Sequence, residues 1–324
     1  MIEEKKHLFI GNIVAGNHVN DIFVLAEKSM AHKRNGDPFL NITLADKTGR
    51  IKGVVWDNVD QIAGEADTGD FVRVAGTAGE FRGAVQLVVK SLVGLAPDSV
   101  HPEDFIAASA RNVDQMFERL TGLTDTMQPG PLNDLIAAVW ADAELIAQFK
   151  RAPAAKLMHH AYLGGLLEHT LSMALLADKI AGHYHRVDRD LLLVGVILHD
   201  IGKTRELSYS RAIDYTDEGR LVSHIGIGLD IVASKIRGVE NFPVELAALV
   251  KHMIVSHHGA KEFGSPEPPK TIEAILLNYI DEIDSRMNAI REFMDAEDPN
   301  ARWTRYHRIL ERHFYIGGPS ENGV

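Results

Sequence analysis

His199 and Asp200 close an apolar run, Leu191-Leu192-Leu193-Val194-Gly195-Val196-Ile197-Leu198. An imidazole and a carboxylate at the end of a buried helix both lose water, which is costly without a compensating partner. Metal coordination supplies one, because imidazole nitrogen and carboxylate oxygen are good ligands for divalent transition metals. His169 lies upstream of the pair, and His224, His257, His258 and Asp281 lie downstream, each within or at the edge of a helical pattern. With no cysteine in the chain, the ligands can only be nitrogen and oxygen. Asp200 is the natural carboxylate to bridge two ions, with His199 on one of them. His169 and Asp281 could complete the first ion, and His224 and His257 the second, with His258 as the alternative to His257. Two ions about 3.5–4 Å apart can activate water and clamp the attacking and leaving oxygens of a phosphodiester. Lys203 follows the pair and either offsets phosphate charge or serves as a cation near a helix C-terminus.

Other polar residues admit plainer readings. Asp284 shares a helical face with Asp281 and is expected to accept a hydrogen bond from a ligand or to pair with Arg286. Glu168 is expected to face solvent. His159-His160-Ala161-Tyr162 either lines an entrance or packs, and carries no assigned role. The remaining histidines of the 16, among them His307 and His313, read as surface positions.

Two kinds of element must position these groups. Short, partly alternating segments fill residues 1–95: Phe9–Val14, Asp21–Ala26, Phe39–Leu44, Arg50–Trp56, Asp70–Gly76 and Ala84–Val89. Turn signals such as Asn35-Gly36-Asp37-Pro38 separate them, predicting a small closed barrel. Residues 96–150 read as a linker and helical connection, with helices expected over Ser109–Leu120 and Leu132–Phe149. Residues 151–316 carry helical periodicity. Asp188 or Asp190 caps the helix that ends at His199-Asp200, Gly202 stops it, and Ser223 caps the helix starting at His224. Pro243 opens Val244–His257, and Thr271 opens the last long helix, to about Met294. Residues 317–324 are expected to form a flexible tail.

Composition limits the setting. The 324 residues are enough for two domains, and 45% hydrophobic with 24% charged residues is ordinary for a globular chain. No apolar stretch reaches the roughly 20 residues that span a bilayer, and Met1–Lys6 lacks signal-peptide character. A cytoplasmic protein without a membrane partner is expected. The net charge of −11 falls almost wholly beyond residue 95, so it does not exclude a nucleic-acid partner for the strand-rich part.

The contexts Leu166-Leu167-Glu168-His169-Thr170, Leu198-His199-Asp200-Ile201-Gly202-Lys203 and Ser256-His257-His258-Gly259 resemble the all-helical HD-domain metal phosphohydrolases, over about residues 150–295. The resemblance implies that His169, His199, Asp200 and Asp281 hold one ion. It also implies that His224 and one of His257 and His258 match the additional histidines of dinuclear members. The segment Pro38–Asp57 resembles an OB-fold of the nucleic-acid-binding kind, which stacks bases on aromatics and tracks phosphates with cations. Phe39 and Trp56 are the stacking candidates, and Lys33, Arg34, Lys47 and Arg50 the leading cations.

An OB-type barrel followed by an HD helical bundle is similar to the YhaM-like 3′–5′ exoribonucleases over nearly the whole chain. His159–Thr170 and Ile280–Ser285 look especially like that family. The resemblance implies removal of nucleotides from the 3′ end of single-stranded RNA, and of DNA as an option. Asp200 and Lys203 would serve at the reaction centre. The expected cofactor is a divalent metal, two ions per chain, with Mn²⁺ first and Co, Fe, Ni or Mg as alternatives. Two rival functions remain at this stage: hydrolysis of a small or cyclic nucleotide, and single-strand binding without catalysis. Long exposed helices make a homo-oligomer a further expectation.

Overall fold

Alternation of apolar and polar residues becomes strands wherever one face can be buried. In β2 (Pro38–Asp46), Leu40, Ile42 and Leu44 turn inward, while Phe39, Asn41 and Thr43 are half-buried on the other face. The partners are β1 (His18–His32), β3 (Gly49–Val55), β4 (Phe71–Phe81) and β5 (Ala84–Leu95). They close into a barrel in the order β1-β2-β3-β5-β4. All pairs are antiparallel except β3 with β5. β1 runs well beyond the expected six residues because its halves do different work. His18–Val24 pairs with β4 and Val24–His32 with β2, with a register shift between Leu25 and Glu27 where the strand turns the corner. Helix α1 (Val59–Gly64) packs Val59 and Ile62 into the barrel core.

The computed structural model describes residues 5–33, 35–96, 99–156, 160–209, 212–298 and 300–317. The chain divides into two compact units, residues 1–108 with 208–214, and residues 109–207 with 215–324. The expected strand at Phe9–Val14 is instead a short 3-10 turn, Ile10–Asn12. Its amides are taken by side chains rather than a neighbouring strand: Ile10 N–H donates to Asp46 Oδ2 (2.8 Å) and Gly11 N–H to Thr48 Oγ1 (2.9 Å).

The helical unit comprises α2 (Val113–Thr124), α3 (Pro131–Trp140), α4 (Ala143–Arg151), α5 (Gly165–Ala181), α6 (Arg189–Leu198), the short α7 (Lys203–Glu206), α8 (Asp217–Gly238), α9 (Val244–Ser256) and α10 (Ile272–Asp295). Helix α5 packs against α2, α4, α6 and α10. Residues 113–151, expected as a connection, therefore belong to this bundle. The single helix expected over 132–149 is two, because Asp142 accepts from Leu145 N–H (3.1 Å) and begins a new one. The apolar run of α6 is buried from Leu191 to Leu198, which places it at the centre of the bundle. Of the expected tail, residues 318–324 lie outside the described residues. Among the described residues, no helix is long and apolar enough to cross a membrane.

One barrel feature carries a stability consequence. The Lys6 ammonium is fully buried, donating to the Ile22 carbonyl (2.6 Å), 3.1 Å from Asp46 Oδ2 and 3.7 Å from the Phe23 ring centroid. Burial pulls its pKa below that of a free lysine, and Asp46 opposes the shift. Removing one partner of a buried pair strands the other charge, which costs about 3–5 kcal/mol, whereas an apolar replacement of similar shape is often neutral. Asp46→Ala is therefore expected to destabilise the barrel by about 3–5 kcal/mol. Lys6→Met is expected to cost less than Asp46→Ala, since Asp46 retains the amides of Ile10 and Thr48. Hydrogen exchange of β1 amides measures both, and equal losses would contradict this account.

Candidate metal centre and nucleic-acid face

Burying α6 drags its C-terminal residues inside with it. His199 is the helix C-cap and Asp200 the next residue, and both are almost completely buried. The loop beyond them lies hard against α8. A Cβ on Gly202 would meet the His224 carbonyl oxygen at 2.0 Å, so glycine is required there by close approach of two backbones. Helix α6 ends before Gly202, as expected, and with φ of −65° this glycine is right-handed.

The Asp200 carboxylate divides its surroundings in two. Oδ2 faces Nε2 of His199 (3.3 Å) and of His169 (3.9 Å), and His169 Nε2 also lies 3.4 Å from Asp281 Oδ1. Oδ1 faces Nε2 of His224 (3.5 Å) and of His257 (3.7 Å). The six residues singled out as ligand candidates thus meet at one point, drawn from five places in the chain. Ligand atoms of His169, His199 and Asp281 lie within 4.8 Å of one another, and so do those of His224, His257 and His258.

Each histidine is held by its other ring nitrogen. His199 Nδ1 is 2.8 Å from the Val196 carbonyl and His257 Nδ1 is 2.6 Å from the Ile254 carbonyl. A carbonyl only accepts, so both Nδ1 atoms carry the hydrogen and, in the neutral ring, Nε2 presents a lone pair inward. Carboxylates do the same for the others: Glu206 Oε1 lies 3.0 Å from His224 Nδ1, and Asp284 Oδ2 lies 2.8 Å from His169 Nδ1. Asp284 also accepts from Ser172 and faces His160 Nε2 (3.1 Å), so it acts behind a ligand as expected. Glu206 escaped sequence reading. It also accepts from the backbone N–H of His224 (2.8 Å), where α8 is broken at Ser223 (φ 61°). The helix begins seven residues earlier than expected, at Asp217 with a Thr216 cap, but the break leaves His224 as a fresh helix start.

The electrostatics show what the arrangement favours. Burial pulls His169 down, but hydrogen bonds with Asp281 and Asp284 outweigh it and raise its pKa to about 9. Burial pushes Asp200 up, yet Lys203, whose Nζ is 2.6 Å from Oδ2, and the histidines hold it well below the usual carboxylate range. His257 is pushed well down, first by burial and then by its neighbouring histidines. Among the described residues, four buried side-chain atoms have no hydrogen-bond partner: His199 Nε2, Asp200 Oδ1, His224 Nε2 and His257 Nε2. Each unsatisfied buried polar atom costs about 1–3 kcal/mol, and here all four point at the same place. That pattern fits divalent metal binding by nitrogen and oxygen donors. Beside it, a cavity of about 320 Å³ is lined by Lys156, Lys203, Tyr215, His258 and Ser285.

Glu168, expected in solvent, is buried instead. It accepts from Ser109 Oγ (2.7 Å) and Tyr162 Oη (3.0 Å) and pairs with Arg111 (3.3 Å). His160 packs beneath the site, and His159 lies outside the described residues.

On the barrel, the structure brings together three of the proposed strand-binding residues. The Phe39 and Trp56 rings stack at 5.0 Å, Trp56 is 40% exposed, and Lys33 Nζ lies 5.2 Å from the Trp56 ring. Arg34 lies outside the described residues. Arg50 and Lys47 are at the far end of the β2–β3 hairpin, beyond reach of this stack. Arg50 faces Glu27 (3.7 Å) and Lys47 pairs with Asp104 (3.3 Å). Asn41, Thr43 and Lys52 border a groove between the two ends of the hairpin. Exposed Phe81, with the Arg82 guanidinium 5.3 Å from its ring, marks the β4–β5 turn; the Phe81-Arg82-Gly83 turn sequence was its available signal.

Three outcomes are expected. Glu206→Gln and Asp284→Asn lower metal affinity by roughly 10–100-fold while the fold is retained, measured by titration calorimetry with Mn²⁺; wild-type affinity would refute the orienting role. With His169 at about 9, its proton must leave for a metal to bind, so binding near pH 7 releases a proton. Apparent affinity then rises with pH toward 9, and heats depend on buffer ionisation enthalpy. Trp56→Ala weakens binding of a single strand about tenfold, read by fluorescence anisotropy.

Comparison with known proteins agrees with both halves. Residues 166–286 match the HD domain family, and residues 24–93 match the family described as an OB-fold nucleic acid binding domain. A curated relative in Geobacillus sp., 3′-5′ exoribonuclease YhaM, is 33% identical over 93% of this chain and 92% of its own length. The protein of that name in Bacillus subtilis is 32% identical over 93% and 95%, and that in Listeria monocytogenes 33% identical over 91% and 94%. With an OB-type barrel, an HD helical bundle and this likeness along nearly its entire length, the chain belongs to the YhaM family of 3′-5′ exoribonucleases.

Proposed function

We infer that this protein removes nucleotides from the 3′ end of single-stranded RNA, with single-stranded DNA as an optional substrate, using two divalent ions that His169, His199, Asp200 and Asp281 would hold on one side and Asp200, His224 and His257 on the other. The observation that carries the reading is the convergence of three buried imidazole nitrogens, His199, His224 and His257 Nε2, on the two oxygens of Asp200, where these nitrogens and Asp200 Oδ1 have no hydrogen-bond partner among the described residues. His258 is close enough to join the second group, through a ring whose Nδ1 lies 3.1 Å from the Phe263 carbonyl. Mixed imidazole and carboxylate donors suit divalent first-row metals; the family resemblance puts Mn²⁺ first, with Fe, Co, Ni or Mg as substitutes.

When bound, such ions polarise phosphodiester oxygens and make water a competent nucleophile near neutral pH. The chain's own residues do the rest. Asp200, with one oxygen toward His169 and His199 and the other toward His224 and His257, would contribute a donor to each side. Lys203 and Lys156 border the cavity and place positive charge where a phosphodiester would lie, and Lys203 also fixes Asp200. The Phe39–Trp56 stack with Lys33 gives the barrel a sequence-tolerant hold on bases. Because barrel and bundle share one chain, a strand held by one is presented to the other at raised effective concentration. A cytoplasmic location follows from this substrate.

Incubation of 5′-labelled single-stranded RNA with Mn²⁺ tests the reading. The expected product is a ladder shortening from the 3′ end, abolished by chelator and slowed about a thousandfold or more by Asp200→Ala. Turnover of mononucleotides with intact RNA would overturn it.

A further inference from the structure

Residues 301–317 form a hairpin. Thr304 N–H donates to the Phe314 carbonyl (2.9 Å), His307 N–H to Arg312 (2.9 Å) and Ile316 N–H to Arg302 (3.0 Å). Its inner side is anchored: His307 is buried and stacks edge-on with Phe293 of α10 at 4.5 Å. Its outer side is different in kind. Trp303, Tyr306 and Tyr315 are 59%, 51% and 53% exposed, and the segment carries four arginines against one acidic residue, Glu311. This basic, aromatic surface sits in the part of the chain that holds nearly all the acidity.

The hairpin tip reaches a groove of about 870 Å³ on the same unit. Ile309 lines it from the tip, facing Phe263, Ile275 and Tyr279, all substantially exposed. The groove also takes in His258, Asp281 and Ser285, the three residues it shares with the polar cavity beside Asp200. The metal-facing site therefore opens two ways, one polar and cationic, the other apolar and aromatic.

We propose that the strand crosses the arginine–aromatic hairpin and that its 3′-terminal base lodges in the groove against Tyr279 and Phe263, which leaves the terminal phosphodiester at the polar cavity. This rests on the phosphodiesterase reading given above and adds the path of the substrate within the helical unit. The chemistry selects the occupant. Arginines match phosphates, exposed rings match base faces, and the groove is continuous with the residues that would hold the ions. A self-associating face would gain nothing from four like charges.

Two measurements on the full chain, with EDTA present so that no strand is cut, decide the matter. Fluorescence anisotropy with a labelled 12-nucleotide RNA compares wild type with Tyr306→Ala/Arg308→Ala and with Phe263→Ala/Tyr279→Ala. Each pair is expected to weaken binding about tenfold, and loss of Arg308 to reduce the slope of log affinity on log salt by about 0.7. A 3′-terminal 4-thiouridine on the same RNA, irradiated with wild-type protein, is expected to crosslink to Phe263, Tyr279 or their immediate neighbours, which requires no variant to fold. Crosslinks confined to other surfaces, or affinities within about twofold of wild type, would overturn the proposal, as would sedimentation showing that the variants lose self-association with unchanged RNA affinity. Wild-type hydrolysis of bis(p-nitrophenyl) phosphate with Mn²⁺ keeps the two readings apart. Hydrolysis without a groove crosslink overturns only the strand path. A groove crosslink without hydrolysis supports the path and counts against the phosphodiesterase reading.

Discussion

A carboxylate buried at the end of a buried helix is the constraint from which the helical unit follows. Asp200 is 3% exposed and each of its oxygens faces two imidazole nitrogens. The apolar run of α6 supplies on the order of 15 kcal/mol of gross burial free energy, taking about 2 kcal/mol for each large side chain. Leaving four polar atoms unsatisfied costs on the order of 4–12 kcal/mol by the same kind of reckoning. Burial of that run offsets part of the cost of holding these polar atoms inside. Binding a cation recovers that expense, which couples metal loading to folding.

Geometry at the centre is then maintained from behind. Val196 and Ile254 offer carbonyls three residues before His199 and His257, an arrangement that comes free with a helix end. His169 and His224 stand away from the C-terminal ends of their helices, and their Nδ1 atoms face Asp284 and Glu206, carboxylates brought from elsewhere. The close approach at Gly202 belongs to the same device. It lets the loop after Asp200 press against α8 at His224, so that the second side of the carboxylate meets its histidines.

The convergence of the six candidate residues on one point was legible in the sequence because each stands at a helix end or in a helical pattern, where residue type and local context coincide. Its supports were not. Asp284 and His169 are 115 residues apart, and Glu206 and His224 are 18 apart across a helix break that periodicity does not register. Glu168 looked solvent-facing because helical position alone could not reveal that Ser109, Arg111 and Tyr162 converge on it. The barrel was legible in its strands, through alternation and turn residues. Its surface cations were not, since Lys47 and Arg50 belong to a turn that the hairpin register carries away from the aromatic stack. Ile10–Asn12 looked like a strand because apolar residues fill side-chain-tethered turns as readily as they fill strands.

An acidic chain handling a polyanion is not a contradiction once distances are considered. Charges farther apart than about 8 Å are largely screened at physiological salt, so a net charge of −11 exerts little force on a strand compared with the groups it touches. Several of the acidic groups are also spent inside the protein. Asp200, Glu206 and Asp284 hold imidazoles or an ammonium, and Asp46 holds Lys6. The helical unit presents Lys203 and Lys156 at the cavity and exposed arginines on the hairpin, and the barrel presents Lys33 beside stacked rings. Acidity concentrated around the ligands favours divalent cations, and small islands of basic and aromatic surface favour the strand. The two requirements coexist because each acts over a few ångströms, and the sum over the chain describes neither.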